Sequence, residues 1–308
     1  MDQKYDVIVL GGGPAGLTAG IYLARARIKT LIVDSGTAGG QMVMSYTVAN
    51  YPGVETTSGR DISQTMLRQA KNFGCKVLTQ SPVLDMDLSA EEKWVDVEDE
   101  GRFFARAVIV ATGGVPRELG LEGEQKFKGT GVSYCATCDG DFFEGKEIVA
   151  IGGGNSALEE AVGLTKYASK VTIVHEFDHF QAQPWTVEEA KKNDKIHFLM
   201  AQDILDFTGN GHLEKVLVAS KETGEKTEIP AEGCFIFIGY VPNTSAFAGL
   251  LDMNERGEIR TDEQMKTNLP GVFAAGDLRI KRYRQITTSV ADGTIAALSA
   301  IDYINQAS

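Results

Sequence analysis

The chain has 308 residues, of which 43% are hydrophobic and 23% charged, a composition typical of a soluble globular protein with about two domains. Its net charge of −12 argues against nucleic acid or anionic lipid as a partner, because the chain has no basic field to displace phosphate counterions. No apolar run approaches the ~18 residues of a membrane span, and no secretory signal is recognisable, so we expect a cytoplasmic protein without a membrane partner.

The chain begins with a strand, a glycine turn and a helix. The apolar run Tyr5–Leu10 leads into Gly11-Gly-Gly-Pro-Ala-Gly16 and the helix-forming run Leu17–Arg25, and another apolar strand follows at Thr30–Val33. This order predicts a βαβ unit with a parallel sheet. Such a turn is a dinucleotide-binding fingerprint, because glycines allow the tight turn, the close approach of a pyrophosphate and the packing of helix on strand.

Individual positions in this unit have separate predicted roles. Gly11 makes the turn, Gly13 approaches the pyrophosphate, and Gly16 packs the helix on the strand. The pyrophosphate would lie at the helix N-terminus, beside Pro14 and Ala15, where unpaired N–H groups favour negative charge. Asp34 follows the second strand, eighteen residues after Gly16, and is placed to accept hydrogen bonds from ribose hydroxyls.

The next segment predicts a helix and a β-meander. Ile62, Met66, Ala70 and Phe73 recur at helical spacing, with Gly74 as the C-cap. Short apolar segments around 83–87, 94–97 and 103–110 then have the spacing of a meander.

Cys135 and Cys138 form a C-x-x-C pair at the start of a predicted helical turn. Two intervening residues place the sulfurs within range of a disulfide, and helix N-terminal amides would favour the reactive thiolate. A zinc half-site is an alternative, but zinc needs two more ligands and the chain offers no second C-x-x-C. Inert thiols are the other alternative. No metal site is predicted.

The order of strand, glycine turn, helix and strand seen in the N-terminal unit then repeats. Glu147–Ile151, the turn Gly152-Gly-Gly-Asn-Ser-Ala157, the helical run Leu158–Lys166 and the strand Lys170–Val174 predict a second βαβ unit. A further apolar strand at 271–275 ends in Gly276-Asp277, and a helix is predicted from about 290 to 304.

Two Gly- and Pro-bearing segments, 113–117 and 239–244, have the composition of chain crossings. We therefore predict an α/β fold with two dinucleotide-binding (Rossmann-like, three-layer) domains, the second inserted into the first. The first domain would comprise residues 1–115 and 245–308 and bind a dinucleotide at its glycine turn. The second, residues 116–244, would carry the dithiol.

Motifs outside the glycine turns carry a family resemblance. Val108-Ile-Val-Ala-Thr-Gly113 resembles the strand and turn of FAD-linked disulfide reductases, and Thr267–Asp277 resembles their second FAD motif. With Gly39-Gly-Gln41, Asn50-Tyr-Pro-Gly53 and Arg284-Gln-Ile286, the resemblance to low-molecular-weight thioredoxin reductases extends over nearly the whole chain.

The resemblance implies a cofactor, a set of site residues and a substrate. The cofactor is FAD, and the substrate is the disulfide of a thioredoxin. Cys138 would be the sulfur nearer the flavin, Cys135 would attack the partner, and Asp139 would transfer protons. The residues expected to contact FAD, besides those of the first glycine turn and Asp34, are Gln41, Asn50, Thr112, Gly276, Asp277, Arg284, Gln285 and Ile286. Family members are usually homodimers, so we expect one here.

One stretch departs from the family pattern. After the second strand of the inserted module, thioredoxin reductases carry His-Arg-Arg-x-x-x-Arg, whose arginines hold the 2′-phosphate of NADPH. Here the three arginine positions are Glu176, Phe177 and Gln181. The ferredoxin-dependent flavin thioredoxin reductases also lack these arginines, and the chain resembles that branch most. Reduced ferredoxin is therefore the expected electron donor, and the basic run 279–284 is a candidate docking patch or, alternatively, a solvated loop.

Three other hypotheses stay open from sequence. Glu176, nineteen residues past Ala157, could bind a ribose 2′-hydroxyl and select NADH as donor. NADPH itself is disfavoured by the missing arginines. A flavin-binding redox sensor without steady turnover is a hypothesis from a different class.

Overall fold

The computed structural model describes residues 3–44, 48, 50–134 and 136–306. These residues form two compact units, one of residues 1–115 and 241–308 and one of residues 116–240. The second unit is thus an insertion between the two halves of the first. The predicted α/β fold class is confirmed. The predicted ligand assignment of each domain stays a prediction.

In the described part of its first half, unit 1 contains the first seven strands, two α-helices and one 3₁₀ helix. Its strands are β1 (Lys4–Leu10), β2 (Thr30–Val33), β3 (Lys76–Leu78), β4 (Val83–Asp87), β5 (Lys93–Val97), β6 (Gly101–Val110) and β7 (Gly114–Pro116). Its helices are α1 (Pro14–Arg25), α2 (Gly59–Asn72) and a short 3₁₀ helix, Gly40–Met44. The side chain of Ser58 caps α2 by accepting a hydrogen bond from the Asp61 N–H, at 3.0 Å.

Among its described residues, unit 2 contains four α-helices and eight strands. The helices are α3 (Glu122–Phe127), α4 (Ala136–Asp139), α5 (Asn155–Leu164) and α6 (Pro184–Lys191), and a 3₁₀ helix at Gly140–Phe143 follows α4. The strands are β8 (Val132–Ser133), β9 (Glu147–Ile151), β10 (Lys170–Val174), β11 (Ile196–Leu199), β12 (Gln202–Thr208), β13 (Lys215–Ser220), β14 (Lys226–Pro230) and β15 (Gly233–Ile236).

The chain returns to unit 1 through β16 (Tyr240–Pro242) and ends with β17 (Val272–Ala274) and α7 (Ile286–Gln306), after a 3₁₀ helix at Ser245–Phe247. In unit 1 the sheet order is β3-β2-β1-β6-β5-β4, with β17 also paired to β6. β1, β2, β3, β6 and β17 run parallel, whereas the meander β4–β6 is antiparallel. Helices α1, α2 and α7 pack on one face of this sheet through a buried apolar cluster.

Unit 2 has the same parallel core. Its main sheet has the order β11-β10-β9-β15-β8, and a separate antiparallel sheet contains β12, β13 and β14. Because the carboxyl ends of parallel strands meet at one edge, each glycine turn lies at the switch point of its own sheet. Within the described part of the chain, none of the helices combines the length and apolarity that a membrane span needs.

Candidate functional site

The first glycine turn connects β1 to α1, and its glycines differ in what surrounds them. Gly11 has φ +106°, and a Cβ on it would lie 2.3 Å from the carbonyl oxygen of Ala111. A Cβ on Gly16 would lie 1.9 Å from the carbonyl oxygen of Gly11. Gly13 is open, since its nearest such neighbour is the Cα of Gly40, at 4.0 Å. Two glycines therefore allow packing, and Gly13 keeps space free at the N-terminus of α1.

Asp34 lies directly after β2 and faces this turn. Its Oδ2 accepts a hydrogen bond from the Gly12 N–H at 2.5 Å, and its Oδ1 accepts one from the Gly36 N–H at 2.7 Å. These bonds fix the carboxylate at the turn. Because each carboxylate oxygen has two lone pairs, both oxygens retain capacity to accept from a ribose hydroxyl.

The predicted second FAD motif meets the first at the start of α1. Gly276 follows β17 with φ +94°, and a Cβ on it would lie 3.0 Å from the Cβ of Ala15. A Cβ on Gly293 in α7 would lie 2.2 Å from the Ala15 carbonyl oxygen. Residues far apart in sequence thus enclose one end of α1. This cradle of backbone N–H groups and glycines fits a dinucleotide pyrophosphate.

Asp277 is held by partners from α7 and the preceding loop. Its Oδ1 accepts a hydrogen bond from the Ser289 hydroxyl at 2.9 Å and lies 2.9 Å from the Nζ of Lys281. The Lys281 side chain is only 8% exposed, and its Nζ also lies 3.1 Å from the Oδ2 of Asp292. Lys281 and Asp292, which the sequence did not identify as cofactor-site residues, therefore fix the carboxylate of Asp277, a residue that is predicted to contact FAD.

Most cations of the basic run 279–284 are paired with acidic side chains, so the run is less positive than its sequence indicates, and its role as a docking patch stays a prediction. Arg279 lies 3.4 Å from Asp292 and donates to the hydroxyl of Thr261. Lys281 is buried between two aspartates, and Arg284 pairs with Glu258 and donates to the Asp277 carbonyl. Three of the four cations are thus paired with carboxylates within unit 1, which leaves the exposed Arg282 to contribute most of the run's positive charge at the surface.

Three more residues predicted to contact FAD are held by hydrogen bonds within unit 1. The Asn50 amide donates to Gln285 at 3.3 Å. The hydroxyl of Thr112 donates to the Asn243 carbonyl at 2.7 Å, and the Asn243 amide donates back to the Thr112 carbonyl at 3.1 Å.

Three more predicted residues have simple positions. Pro14 and Ile286 are the first residues of α1 and α7, and Gln41 is exposed in the 3₁₀ helix Gly40–Met44.

The dithiol is described only in part. Cys135 lies outside the described residues, and Cys138 is placed by its backbone in α4. The Asp139 carboxylate accepts a hydrogen bond from the buried Ser133 hydroxyl at 2.5 Å. Helix α4 is a single turn that continues into the 3₁₀ helix Gly140–Phe143, and the activation of the thiols by helix N-terminal amides stays a prediction.

The two remaining cysteines are buried, as predicted. Cys75 is 5% exposed and Cys234 is fully buried, and both are free thiols. Burial raises the pKa of the Cys75 thiol to about 12 and the pKa of Cys234 well above its usual value. Neither thiol is reactive at neutral pH.

The second glycine turn has a histidine where the first has its aspartate. Val33 pairs with Leu10 and Val174 pairs with Ile151, so His175 in unit 2 is equivalent to Asp34 in unit 1. The His175 ring is 3% exposed and covers Gly153, on which a Cβ would lie 2.3 Å from Nε2. The ribose-binding carboxylate position is therefore occupied by a buried ring.

The loop after β10, residues 175–183, contains no arginine and no lysine. Glu176 is 59% exposed, with Lys221 3.9 Å away, and Lys221 is also 3.2 Å from Asp203. The ring of Phe177 packs edge-on against the ring of His175, and the two ring centroids are 5.3 Å apart. Further along, the Gln181 N–H donates to the Gly153 carbonyl at 2.9 Å, which closes the loop over the turn.

Comparisons with known proteins agree on one family. The profile of the pyridine nucleotide-disulphide oxidoreductase family matches residues 5–293. A thioredoxin reductase of Peptoclostridium acidaminophilum is 44% identical over 311 residues, covering 99% of this chain and 98% of the relative. A "34.2 kDa protein in rubredoxin operon" of Clostridium pasteurianum is 43% identical, covering 98% of each chain. The crystal structure of Lactococcus lactis thioredoxin reductase (FR conformation) is 40% identical, with a TM-score of 0.88 over 98% of this chain and 99% of that one.

Proposed function

Because the chain belongs to the pyridine nucleotide-disulphide oxidoreductase family, we propose that it is a thioredoxin reductase that takes electrons from reduced ferredoxin instead of NADPH. The single observation that carries the choice of donor is the loop after β10, in which Glu176, Phe177 and Gln181 stand at the three arginine positions of the family pattern.

The cofactor is FAD, because the thioredoxin reductases of this family are FAD-binding flavoproteins. The cradle at the N-terminus of α1 fits it: Gly13 leaves space for a pyrophosphate, and Asp34 offers oxygens to a ribose. Asp277, fixed by Ser289 and Lys281, would hold the ribityl chain. When bound, FAD exchanges electrons singly or in pairs, so it serves one-electron and hydride donors alike.

In the proposed reaction, the dithiol passes the electrons to thioredoxin. The Cys135 thiolate would attack one sulfur of the thioredoxin disulfide, forming a mixed disulfide and releasing the other sulfur as a thiolate. Cys138 would then displace thioredoxin, forming the Cys135–Cys138 disulfide, so that two electrons pass from the dithiol to the partner. Asp139, held by Ser133, would give a proton to the departing thiolate or take one from the attacking thiol.

NADPH is disfavoured by the charge of its expected site. Hydrogen bonds to charged groups are worth ~1.5–3 kcal/mol each, so the loss of two arginine contacts weakens binding by ~3–6 kcal/mol. That is about two to four decades in affinity. The exposed carboxylates of Glu176 and Asp178 would in addition repel the 2′-phosphate.

NADH is the second candidate, and the exposed carboxylate of Glu176 is the observation that favours it. Against it stands the position of that carboxylate. Glu176 follows, and does not occupy, the position equivalent to Asp34, which belongs to His175. We therefore rank NADH below ferredoxin. Because most cations of the basic run 279–284 are paired with carboxylates, its role as a docking patch for ferredoxin stays a prediction.

The test is an anaerobic titration of the FAD-loaded protein, followed by the flavin absorbance. Reduced ferredoxin should bleach the flavin at stoichiometric amounts, whereas equal amounts of NADH or NADPH should leave it yellow. If NADH bleaches the flavin and reduced ferredoxin does not, the electron donor is NADH and the proposed donor is wrong. The same titration of Cys138→Ser should still bleach, because the substitution removes the outlet and leaves the FAD cradle intact.

Homodimer formation and a cytoplasmic location remain predictions from the family resemblance. The redox-sensor hypothesis is separated by turnover, because a sensor would reduce no more than one thioredoxin disulfide per chain after a single reduction.

A further inference from the structure

The end of β6 lies between the two motifs that are predicted to bind FAD. The Ala111 N–H donates to the carbonyl of Leu10, the last residue before the first glycine turn, at 2.7 Å. On the other side, the N–H of Ala275, directly before Gly276, donates to the Val110 carbonyl at 2.9 Å. These two bonds continue the pairing of β6 with β1 and β17. The chain leaving β6 therefore has one FAD motif on each side.

This chain segment also supports the first glycine turn directly. A Cβ on Gly11 would lie 2.3 Å from the carbonyl oxygen of Ala111 and 3.0 Å from the Cα of Thr112. The two backbones are thus in close contact, with no space for a side chain between them. Because packed interiors transmit displacements, a shift of residues 111–112 would change the shape of the turn that is proposed to hold the pyrophosphate.

Three hydrogen bonds join the same segment to Asn243, the residue after β16. The Asn243 amide donates to the Thr112 carbonyl at 3.1 Å, and the Thr112 hydroxyl donates to the Asn243 carbonyl at 2.7 Å. The Asn243 N–H donates to the Gly113 carbonyl at 2.9 Å. The carbonyls of two successive residues after β6 are therefore both bound by Asn243.

Asn243 is exposed, but the residue that follows it is anchored in the core of unit 1. Thr244 is 3% exposed, and its hydroxyl donates to the Gly257 carbonyl at 2.7 Å. The N–H of Phe247, a buried residue of the apolar core, donates to the Thr244 carbonyl at 2.9 Å. The position of Asn243 is therefore fixed independently of the segment that it binds.

We propose that Asn243 is a positioning residue of the FAD site, which holds residues 111–113 against the first glycine turn. The inference rests on the proposed function only in placing FAD at that turn. A segment that is already ordered in the free protein does not have to be ordered when the ligand binds, so the fixed segment lowers the Kd of FAD. One hydrogen bond of this kind corresponds to about a threefold to tenfold change in an equilibrium constant.

The test compares FAD binding with the stability of the full-length apoprotein, and it needs neither electron donor nor thioredoxin. Asn243→Leu keeps the approximate size of the side chain and removes the amide donor. The Kd of FAD, read by flavin fluorescence, should rise about threefold to tenfold. If this variant does not fold, Asn243→Asp replaces it, because that side chain also lacks the donor and should weaken FAD binding in the same way.

Asn193→Leu is the matched control. The Asn193 amide donates to the Thr165 hydroxyl at 2.9 Å in unit 2, so this substitution also removes one amide hydrogen bond, but away from the first glycine turn. Its Kd for FAD should equal that of the wild type. Urea unfolding of the apoproteins should show a similar loss of stability in both variants, so that only the Kd of FAD separates them.

An unchanged Kd in Asn243→Leu would overturn the inference while leaving the proposed function intact. An equal rise of the Kd in Asn193→Leu would also overturn it, because the effect would then be a general loss of stability. A wild-type apoprotein that binds no FAD would instead refute the proposed function, and the inference with it.

Discussion

Two glycines of the first turn should respond differently to substitution by alanine. One substitution should lower the stability of the apoprotein, and the other should weaken FAD binding. In Gly16→Ala the new methyl would lie 1.9 Å from the Gly11 carbonyl oxygen and 3.3 Å from Val9 Cγ1. An ordinary carbon–oxygen contact is about 3.3–3.6 Å, so α1 must move away from the turn by more than about 1 Å. Overpacking of this kind costs about 1–3 kcal/mol, or more where backbone is the obstacle.

In Gly13→Ala the protein itself has room for the methyl. The nearest atom is 4.0 Å away, and the backbone conformation, φ −75° and ψ −172°, suits any L residue. The free energy of unfolding of the apoprotein should therefore change by less than about 1 kcal/mol. The methyl would instead fill the space proposed for the pyrophosphate, so the Kd of FAD should rise at least about tenfold.

The assay combines urea unfolding of the apoprotein with titration of the apoprotein by FAD, read by flavin fluorescence. The expected pattern is an unstable Gly16→Ala and a stable Gly13→Ala with weak FAD binding. The reasoning is refuted if Gly13→Ala binds FAD like the wild type, or if the two apoproteins unfold at the same urea concentration.

Three further outcomes follow from the same contacts. Restoring arginine at Glu176, Phe177 and Gln181 together should bring measurable NADPH binding by equilibrium dialysis, about two decades or more tighter than the wild type, and no gain would show that the closed loop and not the charge excludes NADPH. Lys281→Met should lower the free energy of unfolding of FAD-loaded protein in urea by about 3–5 kcal/mol, because Asp277 and Asp292 lose a buried partner, and a change below about 1 kcal/mol would contradict the role of that cluster. Burial lowers the pKa of His175, so the folded state favours the neutral ring. The contribution of this neutral ring to the free energy of unfolding should be lost as the pH falls below the pKa of His175 in the unfolded chain, about 6.5. His175→Phe should flatten that decline in a series of urea unfolding curves, and an unflattened series would contradict the assignment.

Much of the fold could be predicted from sequence because it depends on local patterns. The strands at Thr30–Val33, Glu147–Ile151 and Lys170–Val174 are apolar runs with the bounds that the structure shows. Helix α7 begins four residues earlier than predicted, at Ile286 instead of Val290. The β-branched run Ile286-Thr-Thr concealed its first turn, which the Thr288 hydroxyl stabilises by accepting from the Gln285 N–H at 3.0 Å.

The ion pairs of the basic run 279–284 could not be predicted because its partners are set by tertiary structure. Asp292 is 13 residues from Arg279 and 11 from Lys281, and Glu258 is 26 residues from Arg284. No local sequence pattern predicts ion pairs between residues so far apart in the chain. A signal was available for His175, however. It follows Ala157 by eighteen residues, as Asp34 follows Gly16, so equal spacing already identified the equivalent position.

The most direct test of the account is turnover with a single electron source. Oxidised thioredoxin and catalytic amounts of the FAD-loaded protein are incubated anaerobically with reduced ferredoxin, NADH or NADPH, and the thiols formed on thioredoxin are counted over time. We expect many thiol pairs per enzyme with ferredoxin, none above background with NADPH, and none with any donor for Cys138→Ser. Sustained turnover with NADPH and none with ferredoxin would contradict it.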